Sequence, residues 1–104
     1  MINLYIDTRD SSKIIAKIDK DGSIFEEVST TETRRPESIL VLIKNVVSKA
    51  GIDIHDIDEI QAEEGPGSFT GLKVGISVAN ALSFSLDKKV NGHPLGEYAE
   101  PKYQ

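Results

Sequence analysis

The 104-residue sequence contains no cysteine. That excludes disulfides, thiolate metal sites and cysteine nucleophiles, and it fits a reducing compartment. Histidine is nearly as scarce, with only His55 and His93 present, so no metal site is expected. No apolar stretch approaches the ~20 residues that a membrane-spanning helix needs. The opening residues "MINLYIDT" carry neither a basic segment nor a long apolar core, so they do not read as a secretory signal. The expected location is the cytoplasm, without membrane contact. Positive charge is also in short supply. Twelve Lys and Arg face 17 Asp and Glu, the net charge is -5, and no dense basic patch exists. Such a chain is not expected to grip a phosphate backbone by itself, so RNA would reach it only through a basic partner.

What is present reads as one soluble α/β domain. "INLYID" alternates Ile2, Leu4 and Ile6 against Asn3, Tyr5 and Asp7, the pattern of a strand. "KIIAKI" and "SIFEEV" are two further strands, joined by the turn "DKDG". From Pro36 onward, Ile39, Leu40, Leu42, Ile43, Val46, Val47 and Ala50 recur at helical spacing. Pro36 suits the first helical position and Gly51 closes the helix. "IDEIQAE" offers a short strand centred on Ile60, and "KKVNGH" a last one after a second helix. The expected order is β-β-β-α-β-α-β, with a mixed sheet of about five strands and both helices on one face. Residues 1–93 form the expected lobe. Residues 94–104 are expected to be a tail that is irregular or packs loosely.

The second helix is the unusual element. It follows "GPGSFTGLKVGISVANAL", residues 65–82. Here the Lys of a Walker loop is misplaced, because Lys73 stands two residues after Gly71. The Gly-x-Gly-x-x-Gly dinucleotide pattern fails at Thr70, and the Gly-x-Ser-x-Gly hydrolase elbow is missing. A structural reading explains more. Gly65-Pro66-Gly67 turns the chain sharply, Ser68 or Thr70 caps a helix, and Gly71, Gly75 and Ala79 form a ridge of small side chains. Leu72, Val74, Ile76, Val78, Leu82 and Leu86 fill most of the remaining circumference. A helix that apolar must be covered on two sides, and its glycines point to close backbone approach. The approaching element is the first helix, another subunit's helix, or both.

At these residues the sequence resembles the TsaB (YeaZ) family. Family members carry an "ILAIDT"-like strand and a "GPGSFTGLRIG"-like turn and helix. The counterparts here are "INLYIDT" and "GPGSFTGLKVG", and the resemblance runs from about Met1 to Val90. It implies one lobe of the actin-like, ribonuclease H-like (ASKHA) fold. It further implies a non-catalytic accessory subunit in forming N6-threonylcarbamoyladenosine (t6A) on tRNA. The implied partners are a TsaD-like catalytic subunit, a TsaE-like ATPase, and a second copy of the chain when no partner is present. No cofactor is implied. The family's second lobe has no counterpart in this sequence, and "TRRPES" stands where the family commonly shows "RxHS".

These readings place a partner interface on Leu42, Val46, Gly71, Leu72, Gly75, Val78, Ala79 and Leu82. Asp7 and Thr8 occupy the place of an actin-like phosphate loop, where an Asp reaches a metal-bound phosphate. They are a candidate vestigial loop, with a capped turn as the plainer alternative. Glu63 and Glu64 read as a solvated strand end without partners, Arg34 and Arg35 as a solvated pair, and His55 as exposed. No residue is expected to be catalytic. Two rival functions stay open: a small nucleotide-binding, ATPase-like domain built on the Asp7 turn, and a homodimeric interaction module with another partner.

Overall fold

The computed structural model describes residues 1–10, 12–30, 35–67 and 69–101, without the side chains of Phe69 and Thr70. Five strands and two α-helices follow in the expected order: β1 (Ile2–Asp7), β2 (Ile14–Lys20), β3 (Ser23–Ser29), α1 (Pro36–Lys49), β4 (Glu59–Ala62), α2 (Phe69–Leu86) and β5 (Lys89–Val90). A 3₁₀ turn, Ile54–Asp56, precedes β4. The strands form one sheet in the order β3-β2-β1-β4-β5. β1, β2 and β3 pair antiparallel, whereas β4 joins β1, and β5 joins β4, in parallel.

The period-2 pattern of β1 decides how the sheet is used. Leu4 and Ile6 are buried, as are Ile14, Ala16 and Ile18 of β2, Ile60 and Ala62 of β4, and Val90 of β5. Successive side chains of a strand alternate between faces, so these residues make one apolar face. Both helices cover it, α1 over β2 and β3, and α2 over β1, β4 and β5. Asn3, Tyr5, Ile15, Lys17 and Asp19 lie on the opposite, half-buried face, which neither helix covers among the described residues.

α1 begins after Arg35, whose extended backbone suits the residue before a proline. Its capping position makes no side-chain cap hydrogen bond. Ile39, Leu42, Ile43, Val46 and Val47 face the core, whereas Leu40 and Val41 are exposed. α2 starts at Phe69, so Thr70 lies within the helix, and Ser68, the other candidate cap, falls outside the described residues.

The small-residue ridge of α2 does not face outward as expected. A Cβ built on Gly75 would lie 2.9 Å from Thr8 Cγ2 and 3.0 Å from Thr8 Cβ, and closer still to the hydroxyl. The Thr8 hydroxyl donates a 2.6 Å hydrogen bond to the Gly71 carbonyl. The element approached is therefore the turn after β1. Leu42, Val46, Leu72 and Ala79 are likewise buried in the lobe's own core, as are Gly71 and Gly75. The interface expected on those six positions is corrected, because helical periodicity identifies the apolar arc but not what covers it. A further side of α2 is covered by the tail. Ala99 is buried, and the Asn80 amide donates to its carbonyl at 3.0 Å and accepts from its N–H at 2.9 Å. The tail through Pro101 is irregular but not loose.

Candidate functional site

β1 and β4 run parallel, so both end at the same rim of the sheet, beside the turn that leads into α2. In open α/β sheets this rim is the usual ligand position. A cavity of about 440 Å³ opens there, lined by Asp7, Arg9, Asp10, Lys13, Ile15, Pro66 and Gly67.

The strand pattern puts Asp7 and Thr8 on opposite faces. Thr8 shares the parity of Leu4 and Ile6, so it points under α2, where it is buried and bonded to Gly71. Asp7 shares the parity of Tyr5 and points to the open face. Its carboxylate is fully engaged with Arg9. Oδ1 accepts from the Arg9 backbone N–H at 3.0 Å and from Nε at 3.1 Å, and Oδ2 accepts from Nη2 at 2.9 Å. The other edge of the guanidinium lies 3.8 Å from Glu63 Oε1. Glu63 Oε2 accepts a 2.5 Å hydrogen bond from the Tyr5 hydroxyl. Four residues thus form one chain, Tyr5–Glu63–Arg9–Asp7, across the ends of β1 and β4.

Electrostatics follow from that chain. Burial alone would raise the Asp7 pKa, but the Arg9 hydrogen bonds and charge outweigh it and hold the carboxyl below its ordinary value. Burial, followed by the hydrogen bond to Glu63, pushes the Tyr5 phenol well above its ordinary value. The Asp7 contacts push the Arg9 guanidinium upward in the same way. Gly67 is part of the arrangement, because a Cβ there would meet Arg9 Cβ at 2.8 Å and Cα at 3.0 Å.

A metal-bound phosphate, which the actin-like resemblance implies at this turn, does not fit these residues as they stand. The carboxylate that would face the metal already carries a bidentate guanidinium, and the Thr8 hydroxyl points away into the core. Among the described residues, no three His, Cys, Asp or Glu side chains are placed to hold a metal ion.

Sequence reasoning singled out Asp7 and Thr8 but missed Arg9, Glu63 and Tyr5. Glu63 is corrected from a solvated residue without partners to the centre of the chain. Glu64 is corrected too, since it accepts from the Glu100 N–H at 3.3 Å and lies 4.0 Å from His93 Nε2. A signal for Arg9 existed in its place two residues after Asp7 in a polar turn. Pairing with Glu63 depends on the parallel register of β1 and β4, which the sequence does not display. His55 is exposed. Arg34 falls outside the described residues, and Arg35 is exposed.

A second feature lies on the helical side. Pro36 and Leu40 of α1 and Ser77, Val78, Ala81, Leu82 and Ser85 of α2 line a mainly apolar groove of about 250 Å³. Leu40 is 45% exposed, and Ser77, Ala81 and Ser85, also exposed, line the groove with small side chains at spacing four. Of the expected interface residues, only Val78 and Leu82 reach this groove.

The fold and its strand-end rim define a single actin-like, ribonuclease H-like α/β lobe. YeaZ from Pseudomonas aeruginosa has the same fold, with a TM-score of 0.79 at 23% identity over 86% of this chain and 43% of that one. A family model described as "TsaD: tRNA N6-adenosine threonylcarbamoyltransferase" matches residues 26–92, and the chain belongs to that family. A tRNA N6-adenosine threonylcarbamoyltransferase of Symbiobacterium thermophilum is 34% identical over 85 residues, or 79% of this chain and 24% of the relative. The tRNA threonylcarbamoyladenosine biosynthesis protein TsaB of Haemophilus influenzae is 36% identical over 67 residues, or 64% of this chain and 27% of the relative. The chain spans about a quarter of the length of these curated relatives. Among the described residues, no helix is long and apolar enough to cross a membrane.

Proposed function

We propose that this lobe is a non-catalytic, protein-binding subunit in t6A formation on tRNA, docking onto a TsaD-like catalytic partner through the α1/α2 groove. The observation that carries the reading is the exposed apolar groove, and the likeness to the TsaB biosynthesis protein of Haemophilus influenzae supports it. Small residues at spacing four admit the close approach of a partner helix, and Leu40 stands beside them as an apolar anchor. Catalysis, ATP turnover by a TsaE-like protein, and tRNA binding then belong to the partners, in the cytoplasm. The net charge of -5 supports indirect contact with tRNA. Without a partner, a second copy of the chain is the proposed occupant of the groove.

Co-purification with a TsaD-like protein from the same source is the test. Ala81→Arg places a charged side chain in the groove while leaving the core untouched, so it should abolish capture without lowering the melting temperature. Capture that survives Ala81→Arg would remove the groove from the interaction. The nucleotide-binding rival predicts equilibrium binding of ATP to the isolated chain, whereas the scaffold reading predicts none.

A further inference from the structure

We infer that Arg9 is a built-in cation that takes the place of a phosphate-bound metal ion at the end of β1, and so closes this lobe to metal–nucleotide at its turn. The inference rests on the strand-end geometry and not on the partner surface.

Three observations carry it. First, Arg9 satisfies Asp7 from three donors, the backbone N–H, Nε and Nη2, all within 3.1 Å. A forked guanidinium on a carboxylate is the strongest common form of this pairing, and it already supplies the positive charge that a second cation would bring. Second, the same guanidinium faces Glu63, so one positive charge serves two carboxylates on neighbouring strands. That is the electrostatic task of a bound divalent cation at a carboxylate site. Third, the surroundings hold Arg9 in place. Gly67 admits the Arg9 backbone and stem, the Asp7 side chain is only 13% exposed, and Tyr5 fixes the far oxygen of Glu63. Arg9 itself is 43% exposed on its outer side, so its role is to fill the site rather than to build the core.

Removing the guanidinium would take from Asp7 and Glu63 the positive charge that they share. A divalent cation is the simplest replacement, because the desolvated charges favour any cation that can enter. Lys13 and Asp10 line the same cavity and would modulate its affinity.

The experiment uses the isolated full chain and Mn²⁺ alone, followed by Mn²⁺ with ATP, and reads paramagnetic broadening of amide signals in two-dimensional NMR. Wild-type protein should show no selective broadening at residues 7–9 and 63. Arg9→Ala and Arg9→Gln should show it at about tenfold or lower Mn²⁺ than any effect on wild type. Arg9→Lys keeps a cation and should behave like wild type. Dispersed spectra establish that each variant is folded, and Arg9→Gln preserves the stem that packs on Gly67. Selective broadening of wild type at the turn would overturn the inference. So would folded Ala and Gln variants that remain silent, since the turn would then exclude cations for another reason. Capture of the TsaD-like partner is read separately, so failure of one reading leaves the other standing.

Discussion

At the scale of single residues, the molecule is tightest where α2 crosses the turn after β1. Gly75→Ala would improve helix propensity by about 1 kcal/mol. The added methyl, however, would collide with Thr8, which is buried and tied to the Gly71 carbonyl. Overpacking of this kind costs about 1–3 kcal/mol, so the net expectation is a loss of stability in urea unfolding. Thr8→Ala removes the two nearest atoms and should reduce the penalty of Gly75→Ala in a double-mutant cycle. Independent effects of the two substitutions would place the clash elsewhere. Gly75→Leu should unfold the lobe, not merely break an assembly. The Asp7–Arg9 pair adds a pH dependence. The folded pKa of Asp7 lies below its ordinary value, so its contribution is present above that value and fades as pH falls through the folded one. Asp7→Asn should therefore lower stability at neutral pH and flatten the acid limb below about pH 4. Tyr5 has the opposite sign, because its raised pKa stabilises the fold up to its ordinary range and fails as pH rises further. An unchanged acid limb in Asp7→Asn would show that other carboxylates control acid unfolding.

At the scale of elements, α1 is uncapped and α2 is strapped. Arg35 occupies the α1 capping position without a cap bond and puts a positive charge beside the positive end of the helix dipole. Arg35→Asp should supply both a side-chain acceptor and the favourable charge, raising stability by about 1 kcal/mol in thermal or urea unfolding. No gain would mean that the N-terminus of α1 is already frayed at equilibrium. The tail depends on Asn80, whose amide makes both hydrogen bonds to Ala99. Asn80→Leu should release it, with faster hydrogen exchange at Ala99 and Glu100 and little change in the sheet. The helices, strands and their order were legible from apolar periodicity, because each element turns an apolar face to the layer between sheet and helices. The Asn80 strap was not legible. An isolated Asn on a polar arc looks like a solvated residue until the chain folds back on it.

At the scale of the whole molecule, the lobe has two surfaces of different character. The helical side carries the apolar groove, and the strand-end rim carries the charged chain. Equilibrium sedimentation tests the groove without a partner. Wild type should self-associate, Ala81→Arg should be monomeric, and both should have the same melting temperature. A monomeric wild type at micromolar concentration would leave only the hetero-partner as occupant.

The sequence by itself determined the α/β class, the order of elements and the family resemblance. These depend on local spacing, turn chemistry and a motif read along the chain. It also identified the glycine ridge as a place of close approach. Only the tertiary structure decided what approaches it. Thr8 lies more than sixty positions earlier in the chain, and the parallel pairing of β1 with β4 is what brings its turn under α2. The same pairing sets Glu63 beside Tyr5 and Arg9, so the charged chain at the rim exists only once the strands are in register. Periodicity specifies which side of an element is apolar, whereas register and crossing between distant elements specify which side meets which.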